Sequence, residues 1–355
     1  MALQHDVLTP LYPVPDWWQS SVEEVDQLLS KDVALGEVRT ISVSPGGRSV
    51  RAVCYGDAEP KLRGLANFNS AMGAGDPDAY FKRRERKRPV LFVVAGVHGH
   101  EVEGVASALS LIQLMETGKD ARGKEQQALR KKMQQCRVII IPLANPDGRI
   151  RVPYRGWVGL TSEEMTLRGQ GCRKNGELYR WRGSKSVHPM VGNVGLLGAY
   201  FDDNGVNMMH DDWANPMSET TKALLQLVAN EGPDCVLNLH SYAHYPALLQ
   251  SAYVPQAYQQ RVYDVAQMLY ARLHQAGFRH ASLSSNALRV GVEEDVHLGM
   301  NLQSMFFHVG AAFGLLFESP HGVGELAEQF DYDDILEVHL HLFEAAVDDV
   351  LLRHN

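Results

Sequence analysis

Four short runs of almost unbroken apolar residues constrain this chain more than any other feature. They are "VLFVVAGV" at 90–97, "RVIIIPL" at 137–143, "DCVLNLH" at 234–240 and "FGLLFES" at 313–319. A strand with one wet face alternates polar and apolar residues, whereas an unbroken run marks a strand buried on both faces. Between and beyond them the apolar spacing predicts helices over about 101–116, 122–134, 218–230, 255–276 and 333–352. Strand–helix repetition of this kind predicts an α/β fold, with a mixed, largely parallel central sheet covered by helices on both faces. Upstream, "SSVEEVDQLLSK" (20–31) reads as a helix capped by Ser20 or Ser21. "EVRTISV" and "SVRAVCY" read as a hairpin joined by "SPGG".

No repeat or long linker divides the 355 residues, so we read 1–19 as an N-terminal extension and 20–355 as a single domain. The charge balance of 34 basic against 42 acidic residues, net −8, argues against general nucleic-acid binding. The basic run at 82–88, within a surface loop over 56–89, therefore reads as a solvated flank. No apolar run reaches membrane-spanning length, and the first residues lack the pattern of a secretory signal. Cys54, Cys136, Cys172 and Cys235 are scattered and form no CxxC pair, which reads as reduced, mostly buried thiols and a cytoplasmic protein. Residues 148–216 fit the alternation poorly, and long irregular segments in a compact domain tend to be functional.

Ligands in an open α/β sheet bind at the carboxyl ends of the strands. Three of the predicted strands end in groups that bind metals or move protons: His98, His240 and Glu318. The stretch "VVAGVHGHEVEG" holds two overlapping His-x-x-Glu frames, His98 with Glu101 and His100 with Glu103. The first lies directly at the strand end, where residues three apart face the same way. The second lies further into the helix and is expected to face solvent or a neighbouring loop. His98, Glu101 and His240 make a two-His, one-carboxylate set with an open fourth position, the ligand set of a catalytic zinc.

The ordered series HGxExxG (His98, Gly99, Glu101, Gly104), "NPDG" at 145–148, "LHSY" at 239–242 and a late strand ending in an acid resembles the zinc metallocarboxypeptidases of the carboxypeptidase A/B type. The resemblance runs from about residue 20 to the C-terminus and marks a divergent member. It implies one Zn2+ held by His98, Glu101 and His240, with a water as fourth ligand and Glu318 as the general base acting on it. It also implies that Arg173, in "CRKN", faces the developing oxyanion. The activity implied is hydrolysis of an amide bond in a peptide or peptide-like substrate, with no nucleic acid or membrane partner; the oligomeric state is not implied.

Two departures accompany the resemblance. The family's Gly-Val-Asp-x-Asn-Arg-Asn segment, which supplies the carboxylate clamp, reads "GVNMMHDDW" here. Asn207 replaces the Asp, Met209 the Asn and His210 the Arg, and a His cannot reproduce the two-pronged fork of an Arg. Asn207 is left as a neutral acceptor for His98, and His210 as a single hydrogen-bonding group for substrate. No Tyr lies between Tyr270 and Tyr332, where the family has a substrate-covering one; His297, Phe306, Phe307 and His308 occupy that interval. Arg149, Arg151, Arg155, Arg168, Arg180 and Arg182 are the candidates to rebuild an anion pocket, with Arg168 taken as substrate-binding. A second cation on His210, Asp211 and Asp212 is disfavoured, since adjacent residues rarely converge on one ion. Two alternative readings are an aspartoacylase-like deacylase of N-acyl amino acids and a catalytically silent binding protein of the same fold.

Overall fold

A computed structural model describes residues 7–59, 66–76, 78–81, 86–180, 183–184, 187–212, 214–278 and 301–354. Helix α1 (Val22–Lys31) is capped by Ser21, whose hydroxyl accepts from Glu24 N–H while the Glu24 carboxylate accepts from Ser21 N–H. That reciprocal box resolves the choice between the two serines. The hairpin follows as β1 (Glu37–Val43) and β2 (Ser49–Tyr55), antiparallel with a bulge between Thr40 and Ser42.

The remaining strands of the main sheet are β3 (Val90–Ala95), β4 (Arg137–Ile141), β7 (Cys235–Tyr242), β8 (Ala247–Leu249) and β9 (Gly314–Pro320). A separate two-stranded ribbon pairs β5 (Gly171–Cys172) with β6 (Leu196–Leu197). The main sheet runs β1-β2-β4-β3-β7-β9-β8, with β4, β3, β7 and β9 parallel and the outer pairings antiparallel. This is the mixed, largely parallel sheet that the apolar runs predict.

Alternation along each strand sorts side chains into two cores. Leu91, Val93, Ala95, Val138, Ile140, Leu237, Leu239, Leu315 and Phe317 join one core. It is covered by α1, α2 (Val102–Thr117), α3 (Gln127–Met133), α6 (Gln256–Gln275) and α8 (Tyr332–His354). Val90, Phe92, Val94, Ile139, Ile141, Val236 and Leu316 join the other, against α5 (Glu219–Glu231) and α7 (Leu302–Gly310). In β7 and β9 the even-numbered residues face this second core, so His240 and Glu318 point to the same side of the sheet. Gly104 lets α2 lie close on β7: a Cβ there would stand 2.9 Å from Leu239 Cβ.

The structure adds elements that the periodicity did not predict. β8 and α7 are too short and too apolar to show a period. Residues 148–216 are less irregular than expected, holding α4 (Ser162–Gln170), the β5–β6 ribbon and a 3-10 turn at Met208–His210. The segment 56–89 contains two short helices, Phe68–Gly73 and Asp78–Phe81. Within the basic run, Arg86 pairs with Asp234 at 3.5 Å, and the Lys87 and Arg88 N–H groups donate to Glu59; residues 82–85 lie outside the described residues. All four cysteines are buried and free. Among the described residues no helix is long and apolar enough to cross a membrane.

Candidate metal centre

The turn after β3 is held by backbone contacts that only small residues permit. Ala144 and Asn145 N–H donate to Ala95 and Gly96 carbonyls, which lays the "NPDG" turn against the end of β3. Gly99 N–H donates to Ala199 O at 2.7 Å. A Cβ on Gly99 would meet Arg149 N at 2.1 Å and the Gly148 carbonyl carbon at 2.3 Å, so the two turns touch backbone to backbone. Asp147 of the same motif pins the hairpin, accepting from Ser44 Oγ (2.6 Å), Arg48 Nη1 (2.8 Å) and Gly46 N (3.0 Å). The motif thus positions the turn that carries His98 and Glu101, although none of its side chains enters the cluster.

In that turn Glu101 stands at the N-cap of α2, and its carboxylate bridges two imidazoles. Its Oε1 lies 2.7 Å from His98 Nδ1 and its Oε2 lies 2.7 Å from His240 Nδ1, while the two Nδ1 atoms are 3.3 Å apart. The three residues are 5%, 2% and 2% exposed for His98, Glu101 and His240, so water does not balance these charges. Burial pushes the Glu101 carboxyl up, but the adjacent His98 and His240 outweigh it and hold it well below the ordinary carboxylate range. Burial likewise depresses His240, yet Glu101 and Glu318 raise it overall.

Three electronegative atoms converging in a dry space call for a cation. Among the described residues this is the one group of three or more His, Cys, Asp and Glu side chains whose ligand atoms all lie within 4.8 Å of one another. Tetrahedral zinc ligands at about 2.0–2.1 Å stand about 3.3 Å from each other. The Nδ1 pair already has that spacing, and the carboxylate contacts need open by only about half an ångström. The residues present fit zinc. Glu318 completes the arrangement as the register partner of His240 across β7 and β9, on the same face.

Two further groups surround the cluster. Tyr200 stacks on His98 with ring centroids 3.8 Å apart and planes at 29°, and lies 4.8 Å from the His100 ring. Burial, Glu101 and Glu318 together drive its phenol well above the ordinary range, so it stays protonated. No periodicity marks Tyr200, which arrives from the irregular region through its N–H bond to Gly169 O. The second His-x-x-Glu frame does not face solvent, which corrects one half of the expectation, but meets neighbouring loop residues, as the other half has it: His100 is 3% and Glu103 1% exposed. Both point inward because Trp157 covers this turn, donating from Nε1 to His100 O at 2.6 Å, and because Glu103 pairs with His321 at 2.9 Å. Burial pushes the His100 imidazole down to about 3. For His321 burial acts downward too, but Glu103 leaves it raised.

The substrate-facing residues named from sequence take more varied positions. Arg173 lies with its guanidinium carbon 4.6 Å over the Tyr179 ring, and its Nε is 3.4 Å from Glu177 Oε2. Asn207 is buried, its side chain accepting from Met209 N–H at 2.9 Å. Met209 is buried with its sulfur 3.7 Å from Asn238 Nδ2, and His210 ends the 3-10 turn. Arg168 pairs with Glu164 at 2.7 Å.

Arg149 is 2% exposed and donates to Ser20, Val152 and Tyr154 carbonyls, which makes it an internal strut rather than part of a pocket. Arg151 is tied to Asp203 and Phe201 O, and Arg155 to Glu24. Arg180 is exposed, and Arg182 lies outside the described residues. Asp211 and Asp212 accept the backbone N–H groups of Asp212, Ala214, Met217 and Ser218, the contacts of a loop brace. Phe306 and Phe307 are core residues, His308 accompanies Tyr253 O at 2.9 Å, and His297 lies outside the described residues.

The fold recurs in solved structures. The metallo-carboxypeptidase from Burkholderia cenocepacia matches with a TM-score of 0.58 at 13% identity, over 93% of this chain and 70% of that one. Bovine thrombin-activatable fibrinolysis inhibitor, solved in complex with tick carboxypeptidase inhibitor, matches at 0.53 and 11%, over 95% and 99%. Carboxypeptidase A from Helicoverpa armigera matches at 0.50 and 15%, over 96% and 74%. No curated protein matches the chain. The family model for zinc carboxypeptidases matches residues 22–281, which include His98, Glu101 and His240. With more than half of its length so matched, this chain belongs, as a divergent member, to the zinc carboxypeptidase family.

Proposed function

We propose that the chain is a zinc-dependent hydrolase that cleaves an amide bond of a peptide or peptide-like substrate. The observation that carries this reading is the convergence of His98, Glu101 and His240 within 4.8 Å, with Glu318 paired to His240 across the strand ladder. Zinc bound there supplies a Lewis acid that polarises a carbonyl and brings the pKa of water down to about 7. Glu318 then takes up the proton of the attacking water and passes it to the leaving amine. Arg173 is the cation that meets the developing oxyanion. Its ion pair with Glu177 is partly exposed, so leaving it costs at most about 1 kcal/mol. Four free, buried thiols support a cytoplasmic location within this proposal.

Glu318→Gln tests the mechanism. We expect one zinc per chain, as in the parent, with turnover lowered about 10²–10⁴-fold; full activity in this variant would refute it. The substrate is found by mass spectrometry of peptide pairs that differ only in a free or amidated C-terminus. Trimming of the free members alone means that a carboxylate clamp exists outside Met209 and His210. Cleavage of both means that the clamp has been dispensed with. Zinc bound without cleavage of either overturns the peptidase reading in favour of a small N-acyl substrate or a silent protein.

A further inference from the structure

Glu103 and His321 come from the two elements that carry the metal ligands and Glu318. Glu103 lies in the first turn of α2, two residues beyond Glu101, and His321 lies three residues beyond Glu318. His321 Nδ1 stands 2.9 Å from Glu103 Oε2, and the two residues are 0% and 1% exposed. His321 N–H also donates to Tyr242 O at 3.1 Å, at the end of β7 two residues past His240. Trp157 closes the outer side, its ring 6.1 Å from His321. A buried ion pair roughly breaks even in stability against apolar residues of the same volume, because each ion loses its water. Stability alone therefore does not account for it; its geometry does. It is a side-chain tie between the turn holding Glu101 and the strand ends holding His240 and Glu318.

We propose that the Glu103–His321 pair is a positioning device for the metal centre, clamping the ligand-bearing turn onto the ends of β7 and β9 so that Glu101 faces His240 beside Glu318. The inference rests on the zinc reading of the site but not on hydrolysis. Supporting partners behind metal ligands are typically worth 10–100-fold in metal affinity.

The test is the zinc dissociation constant, measured by chelator competition on the purified chain without substrate. Glu103→Ala and His321→Ala are each expected to weaken zinc binding about 10–100-fold. The double variant should be little worse than either single one, as for two ends of one contact. Glu103→Gln keeps an oxygen to accept the His321 Nδ1–H and should recover most of the affinity. Folded alanine variants that bind zinc within about twofold of the parent overturn the proposal, as do losses that add in the double variant. A lowered melting temperature with unchanged zinc affinity likewise makes the pair merely structural and overturns it. Should the alanine variants fail to fold, His321→Gln fills the space with a weaker donor. It is expected to lose about 3–10-fold in affinity, and an unchanged constant overturns the proposal. A parent that binds zinc but cleaves nothing removes the proposed hydrolysis and leaves this test standing. A parent that takes up no zinc overturns both.

Discussion

The two walls of the site are built differently. The metal wall stands on strand ends: His240 lies within β7, Glu318 within β9, and His98 three residues past β3. The substrate wall we propose is drawn from residues 148–212, where short elements and loops carry Arg168, Arg173, Tyr200, Asn207 and His210. A strand fixes its side chains through a ladder on both sides, whereas a loop fixes them through individual side-chain and backbone bonds. The metal wall should therefore respond to single changes sharply and in one property, and the substrate wall diffusely.

The largest expected effect breaks the metal wall alone. His240→Ala should drop zinc from one per chain to about a tenth or less, with the far-UV circular dichroism unchanged. An unchanged zinc content by elemental analysis would move the metal to other residues.

The joint between the walls comes next. Gly99→Ala places a Cβ 2.1 Å from the backbone nitrogen of Arg149, and backbone yields less than a side chain tip. A stability loss of about 3 kcal/mol is expected in urea unfolding. A loss under about 0.5 kcal/mol would mean that the two turns are not held together as tightly as the contact implies.

A histidine on neither wall sharpens the comparison. His339 is fully buried beside Phe317 and Phe343, donating from Nδ1 to Ile335 O at 2.8 Å with no carboxylate paired to it among the described residues, and burial pushes its imidazole down to about 4. The unfolded chain takes up a proton near pH 6.5 that the folded core refuses until about pH 4. Stability is thus complete above pH 6.5 and falls as the pH drops through that window, by about 3 kcal/mol. His339→Leu should flatten this part of the stability–pH curve relative to the parent, and an unchanged curve would count against a neutral core His339.

The smallest effect belongs to the substrate wall. Arg168→Gln removes a guanidinium already matched by Glu164. We expect KM to change by no more than about threefold, with a stability loss of about 1–3 kcal/mol. A tenfold rise in KM confined to peptides with a free C-terminus would instead make Arg168 part of a rebuilt clamp.

Much of the metal wall could be read directly from the residues. Unbroken apolar runs have no stable place except between two covered faces, so β3, β4, β7 and β9 follow from them, and their ends follow from where the runs stop. His98 and Glu101 lie just past β3, while β7 and β9 run two residues beyond His240 and Glu318, which sit near the strand ends rather than at them. The substrate wall was legible only as a gap in the periodicity. Tyr200 carries no local signal, since stacking on His98 requires Gly169 and Ala199 to be brought beside the turn from far along the chain. The arginines of the same region look alike in sequence. Their surroundings separate them into a buried strut at Arg149, paired charges at Arg151, Arg155 and Arg168, and the stacked Arg173.

The overlapping frames in "HGHEVEG" divide along the same line. Sequence alone determined that a His and a Glu three apart would leave the end of a buried strand, because strand period and helix turn are local properties. Which neighbours the second frame would meet was decided by tertiary structure. Burial of His100 and Glu103 depends on Trp157 and His321, which reach them only when residues 157 and 321 fold across the same strand ends. Local geometry sets the direction of a side chain, but only the packed chain sets what stands opposite it.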